Sequence, residues 1–310
     1  MVFNPRPVVS VMFRRSLLVI LVAFGVASAA HAQTVGDATG APSADDVSRA
    51  SAADDASGVS ASEVGTRASS EDSVASVLAL DDVTRPIIKR ARAAVADEAT
   101  LKGIRSLIYE GAILNREGER VGSFTLRVLR PHYYMTIMDN GRTVSTTAVS
   151  DFEGYTRVVD AHEDGRSAIR VLEADRVELY HASARENLNF FLGPQTVEGG
   201  EIALVGEAIK MGRPAYKVRF AYPSGVYYLR YFDREDGRLL STVVGAGRNE
   251  IVEKAYRRIS GIRIPVELKN LSPDGHEIST IVFDNVEVNP GLERSEFDMP
   301  ETLGKALRRR

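Results

Sequence analysis

From residue 106 onward, apolar and polar residues alternate along most of this chain, and that alternation predicts its strands. Side chains of an extended strand point to opposite faces in turn, so a period of two marks a strand buried on one side. Residues 262–269 are the clearest case: Ile262, Ile264, Val266 and Leu268 share one face, while Arg263, Pro265, Glu267 and Lys269 share the other. Ser272-Pro273-Asp274-Gly275 then places Pro second and Gly fourth in a turn, and residues 278–288 supply a return strand. Comparable runs lie at 106–114, 120–129, 133–138, 142–149 and 155–159, then at 202–211, 214–222, 225–232, 238–244 and 249–259. Asn140-Gly141 between two of them is a strong hairpin signal, and Pro223-Ser224-Gly225 and residues 233–237 mark further turns.

The period becomes helical in three places. Thr84 reads as an N-cap ahead of Arg85-Pro86, with Ile87, Ile88, Ala91 and Val95 forming an apolar stripe; Asp97 starts a second short helix. Across residues 167–192, Val177, Tyr180, Ala184, Leu188 and Phe191 recur three or four apart. The prediction is a mainly β (α+β) fold: a single antiparallel sheet of about 10–11 strands, curled by its own twist into an incomplete β-barrel and covered by helices. The 262–288 hairpin reads as its closing edge. The inward set is Phe124, Leu126, Val128, Tyr133, Met135, Ile137, Tyr216, Val218, Phe220, Ile262, Ile264, Val266 and Leu268, faced by Tyr180, Leu188 and Phe191 of the covering helix.

Outside this region the pattern changes. Residues 1–32 read as a cleavable signal peptide, with Arg6, Arg14 and Arg15 before the apolar run 17–26 and Ala30-His31-Ala32 as a small-x-small cleavage site. The run is too short to cross a bilayer, and Arg14-Arg15 leaves general and twin-arginine export both open. Residues 33–82 hold ten acids against Arg49 and Arg67 and no aromatic residue, the composition of a disordered acidic linker. Of the chain's 39 basic and 42 acidic residues, setting aside that segment and the three leader arginines leaves 34 basic against 32 acidic for residues 83–310. A folded unit at 83–304 is therefore nearly neutral, which argues against nucleic acid as a partner. Residues 305–310 form a short basic tail, and the absence of Cys removes disulfides, thiolate chemistry and a lipid-anchor site.

Catalytic signatures are missing at the expected spacings. His162-Glu163 and His276-Glu277 begin like zinc-protease helices, but the second His is replaced by Arg166 and Thr280. Asp160, His162, Glu163 and Asp164 gather in one loop, which makes a metal-dependent hydrolase the weakest of three functional readings. Gly245-Ala246-Gly247 opens no helix, so it reads as a turn and not as a phosphate cradle. In 222–232, Val226, Tyr228, Arg230 and Phe232 fall opposite Tyr227, Leu229 and Tyr231, the arrangement of cross-strand aromatic packing. No cofactor and no enzymatic activity are expected.

Several motifs carry a likeness to a known family. Ser260-Gly261-Ile262-Arg263-Ile264-Pro265, the strand into Val286-Glu287-Val288-Asn289, and Ser295-Glu296-Phe297-Asp298-Met299-Pro300 resemble the LolA-like outer-membrane lipoprotein-sorting superfamily. So do Glu207 with 212–218 and the strand ending in 233–239, and the likeness runs over roughly residues 86–304. The resemblance implies a monomeric periplasmic carrier that shields lipid or lipoprotein acyl chains in an apolar cavity, taking them from an inner-membrane donor to an outer-membrane acceptor. A sensor of the same fold, of the RseB type, which holds a membrane partner, is the alternative it leaves.

Overall fold

The computed structural model describes residues 80–162, 166–245 and 249–300. The leader, nearly all of the acidic segment and the basic tail lie outside these residues. Among them, thirteen strands form one antiparallel sheet: β1 Ser106–Leu114, β2 Arg120–Leu129, β3 Tyr133–Asp139, β4 Thr143–Val149, β5 Gly154–Asp160, β6 Ser167–Val171, β7 Glu201–Lys210, β8 Arg213–Ala221, β9 Tyr227–Asp233, β10 Leu239–Val244, β11 Glu250–Ile259, β12 Ile262–Leu271 and β13 Glu277–Val288. Their order is β6-β5-β4-β3-β2-β1-β13-β12-β11-β10-β9-β8-β7, so β6 and β7 are open ends and the sheet is an unclosed half-barrel.

The β12–β13 hairpin is therefore not the closing edge that its punctuation suggests. β13 pairs with β1 from Leu107↔Val288 to Leu114↔Thr280, which puts the hairpin at the centre. Asn289 pins that junction: its Oδ1 accepts from the Arg105 and Ser106 N–H groups, and its Nδ2 donates to the Gly103 carbonyl. Strands whose two faces are both covered belong in the middle, whereas β6 is exposed along nearly its whole length. That exposure also explains why residues 167–171 look helical in sequence and are a strand, since an edge strand with Ile169 alone part-buried shows no alternation.

Three helices lie on one face: α1 Thr84–Val95, α2 Glu98–Gly103 and α3 Ala174–Asn189. Asp97 caps α2 as expected, accepting from the Thr100 N–H. Thr84 does not cap α1. Asp81 accepts from the Val83 and Thr84 N–H groups instead, and the Thr84 hydroxyl accepts from the Leu204 N–H, fastening α1 to β7. The main core lies between helices and sheet and includes Ile88, Leu101, Leu107, Phe124, Leu126, Val128, Tyr180, Leu188, Val218, Phe220, Phe232, Ile262 and Ile264. Tyr216 is half-buried against it, and Val266 is buried on the face of Ile264 and Leu268.

β3 has the opposite phase from the expected one. Phe124 pairs with Met138, Leu126 with Thr136 and Val128 with Tyr134, so Tyr134, Thr136 and Met138 point to the helices. Tyr133, Met135 and Ile137 point outward, where Tyr133, Met135 and Ile137 pack with Ala148, Tyr155 and Phe297 in a second cluster. The stronger apolar alternation on β3 tracks this outer patch, which the 3-10 turn Arg294–Phe297 covers; the Tyr133 and Phe297 rings stand 5.6 Å apart.

Candidate functional site

A cavity of about 120 Å³ lies where α1, the end of α3 and strands β9–β12 meet. Its helical side is Ala91, Ala94 and Val95 with Phe190 and Phe191, and its sheet side includes Tyr228, Arg230, Leu239, Val244, Glu253, Tyr256, Ile264 and Leu268. Of the residues expected to face inward, Phe191, Ile264 and Leu268 line it. Phe124, Leu126, Val128, Tyr180, Leu188, Val218 and Phe220 are packed into the core instead.

The end of α3 over this cavity is held by two arginines. Arg92, on α1 and 2 % exposed, donates from Nη1 to the Asn189 and Phe190 carbonyls at 2.6 and 2.7 Å. Its Nε and Nη2 each donate to Glu98 at 2.7 Å. Arg130, at the end of β2, donates to the Leu188 carbonyl, the Asn189 Oδ1 and the Ile104 carbonyl. A helix terminus exposes acceptors and carries a partial negative charge, so guanidinium groups satisfy both at once. Beyond the last turn, Phe190 and Phe191 have φ of 44° and 71°, a left-handed pair that costs bulky side chains energy and turns both rings toward the sheet.

The cavity floor is polar, which the apolar periodicity did not indicate. Arg230 sits between rings, its Cζ 4.7 Å from the Phe220 centroid and 5.3 Å from that of Phe191, and it pairs with Glu186 of α3. The Tyr222 hydroxyl donates to the other Glu186 oxygen. Half-buried Glu253 is pushed up to about 7, chiefly by burial, against the pull of Tyr256, Arg230 and Arg263. Tyr256 Oη lies 3.1 Å from Glu253 and 3.3 Å from the Leu239 carbonyl, and its one proton serves only one of them. A protonated Glu253 that donates to the phenol oxygen lets the phenol donate to Leu239.

This gives a signed pH dependence. Because the folded state holds the Glu253 proton up to about 7 and the unfolded chain releases it near 4.5, stability falls as pH rises through that window. Glu253→Gln is expected to match the parent at pH 4 and to exceed it by about 2 kcal/mol at pH 8, after allowing for solvent screening. Urea denaturation at the two pH values measures this; an equal difference at both would refute it.

A second polar cluster joins α3 to the β4–β5 turn. The His132 and His181 rings are 4.3 Å apart, His181 Nε2 is 2.7 Å from the Ser150 carbonyl, and Arg185 lies 3.2 Å from His132 Nδ1. Burial, then the neighbouring His181 and Arg185, pushes His132 down to about 4; burial also lowers His181. Both are neutral near pH 7 and serve as hydrogen-bonding staples. In the 160–164 loop, the Asp160 side chain accepts from the His162 N–H, while Glu163 and Asp164 lie outside the described residues. Among the described residues no group of three or more His, Cys, Asp or Glu is placed to hold a metal ion.

No family model and no curated protein matches this chain. Among solved structures, it is similar to a DUF1329 family protein from Desulfovibrio piger at 13% identity, over 70% of this chain and 98% of that one, with a TM-score of 0.46. It is also similar to a LolA superfamily protein from Nitrosomonas europaea at 9% identity, over 69% of this chain and 97% of that one, with a TM-score of 0.47.

Proposed function

We propose that this protein is a periplasmic, non-enzymatic binder of lipid or lipoprotein acyl chains, with the sheet and the helices α1 and α3 as the two walls of the binding space. The observation that carries this reading is the manner of closure. Where α1 and the end of α3 meet over the cavity, they are joined by arginine-to-carbonyl hydrogen bonds, which can exchange for water. The cavity, about 120 Å³, is smaller than the roughly 300–1,000 Å³ of ordinary ligand sites, so a chain fits only when the helices move apart. Shielding a chain of about sixteen carbons hides roughly 10 kcal/mol of apolar surface, enough to offset such an opening.

Native mass spectrometry of protein purified from the periplasm is expected to show bound lipid. Protein that is always empty and refuses fluorescent fatty acids would end this reading. An empty protein that retains one specific inner-membrane protein would identify the sensor alternative.

A further inference from the structure

Tyr228 and Arg230 stand two residues apart on the covered face of β9, and both line the cavity. Tyr228 is 2 % exposed and Arg230 8 %. Arg230 uses Nη1 for Glu186, but its Nε has no hydrogen-bond partner, and neither has the Tyr228 hydroxyl. A buried donor without an acceptor is costly, so two on one wall of a cavity mark a place for an acceptor. With Arg238 neutralised by Asp236, the lining carries Arg230 and Arg263 against Glu186 and Glu253, and burial keeps Glu253 protonated up to about 7, so the cavity favours an anion. The half-buried Arg263 guanidinium lies 3.6 Å over the Tyr256 ring, which leaves Arg230 Nε as the buried guanidinium donor without a partner. Beyond these groups the wall is apolar, through Leu239, Val244, Ile264 and Leu268.

We infer that the cavity receives the anionic head of a single-chain amphiphile, a carboxylate or a phosphate monoester, bound by Arg230 Nε–H and the Tyr228 hydroxyl, with the chain against the apolar wall. This rests on the acyl-chain reading above and specifies which end of the ligand is held and by what. Glu186 keeps the guanidinium oriented. The rings of Phe191 and Phe220 exclude water from it, which strengthens its bond to an anionic oxygen.

The full chain is titrated by calorimetry with hexadecanoate, hexadecyl phosphate and hexadecanol, which share one tail. At least one anion is expected to bind roughly tenfold or more tightly than the alcohol, and the tighter anion distinguishes a fatty acid from a phosphate-headed lipid. Tyr228→Phe, which loses only an unpaired hydroxyl, is expected to keep its melting temperature and lose roughly tenfold for that anion alone. Arg230→Lys preserves a charge for Glu186 without the Nε–H and is expected to lose at least as much. If the alcohol binds as tightly as both anions, or Tyr228→Phe weakens all three equally, the head site is wrong and the acyl-chain reading stands. If none of the three binds, both fall.

Discussion

Replacing Arg92 by Leu is expected to lower stability by about 3 kcal/mol and to open the lid. Two carbonyls, of buried Asn189 and half-buried Phe190, lose their donor, at roughly 1–3 kcal/mol for a fully buried unsatisfied group and less for the second. Glu98 adds little to the cost, since its side chain is 45% exposed and returns to water. The left-handed turn at Phe190 and Phe191 loses its hold on α1, so the apolar wall beneath becomes accessible. Urea denaturation reports the stability loss, and an environment-sensitive dye reports the opening. An unchanged midpoint together with unchanged dye uptake would show that Arg92 does not hold the lid.

Phe232→Ala is expected to cost about 3–5 kcal/mol, the usual range for emptying a buried phenylalanine site. Phe232 is fully buried on β9, with Phe191 edge-on at 4.9 Å and Phe220 at 6.1 Å. The void would open under the end of α3, where the backbone is already strained and cannot collapse to fill it. Phe232→Leu keeps most of the volume and is expected to recover the larger part. A loss below about 1 kcal/mol for the Ala variant would mean that the lid repacks freely over this position.

The elements were legible in the sequence wherever one face alone is buried. β12 is such a strand: Ile262, Ile264, Val266 and Leu268 are buried with half-buried residues between them, as their alternation requires. Legibility failed where burial is two-sided or absent. On β3 both faces are covered, and the more apolar row, Tyr133, Met135 and Ile137, serves the outer cluster under Phe297. On β6 only Ile169 is part-buried, against the outer cluster, so the strand left no alternation to read. The order of strands was beyond periodicity, because the β1–β13 pairing joins residues at opposite ends of the described chain. At the cavity, alternation separated the two faces of β9 without marking which one is covered. An arginine between Tyr228 and Phe232 on a buried face was the available signal, since a guanidinium is placed there only with a partner or a ligand.

The central β1–β13 pairing also governs how the molecule comes to be. Leu107 meets Val288 directly, so the middle of the sheet cannot exist until the last strand is present, whereas each flanking meander can form from local hairpins. Contacts of such sequence separation carry a large loop-closure cost and slow the search for the native state. Each half-sheet by itself leaves the edge of β1 or β13 unpaired, and unpaired strand edges are where chains associate.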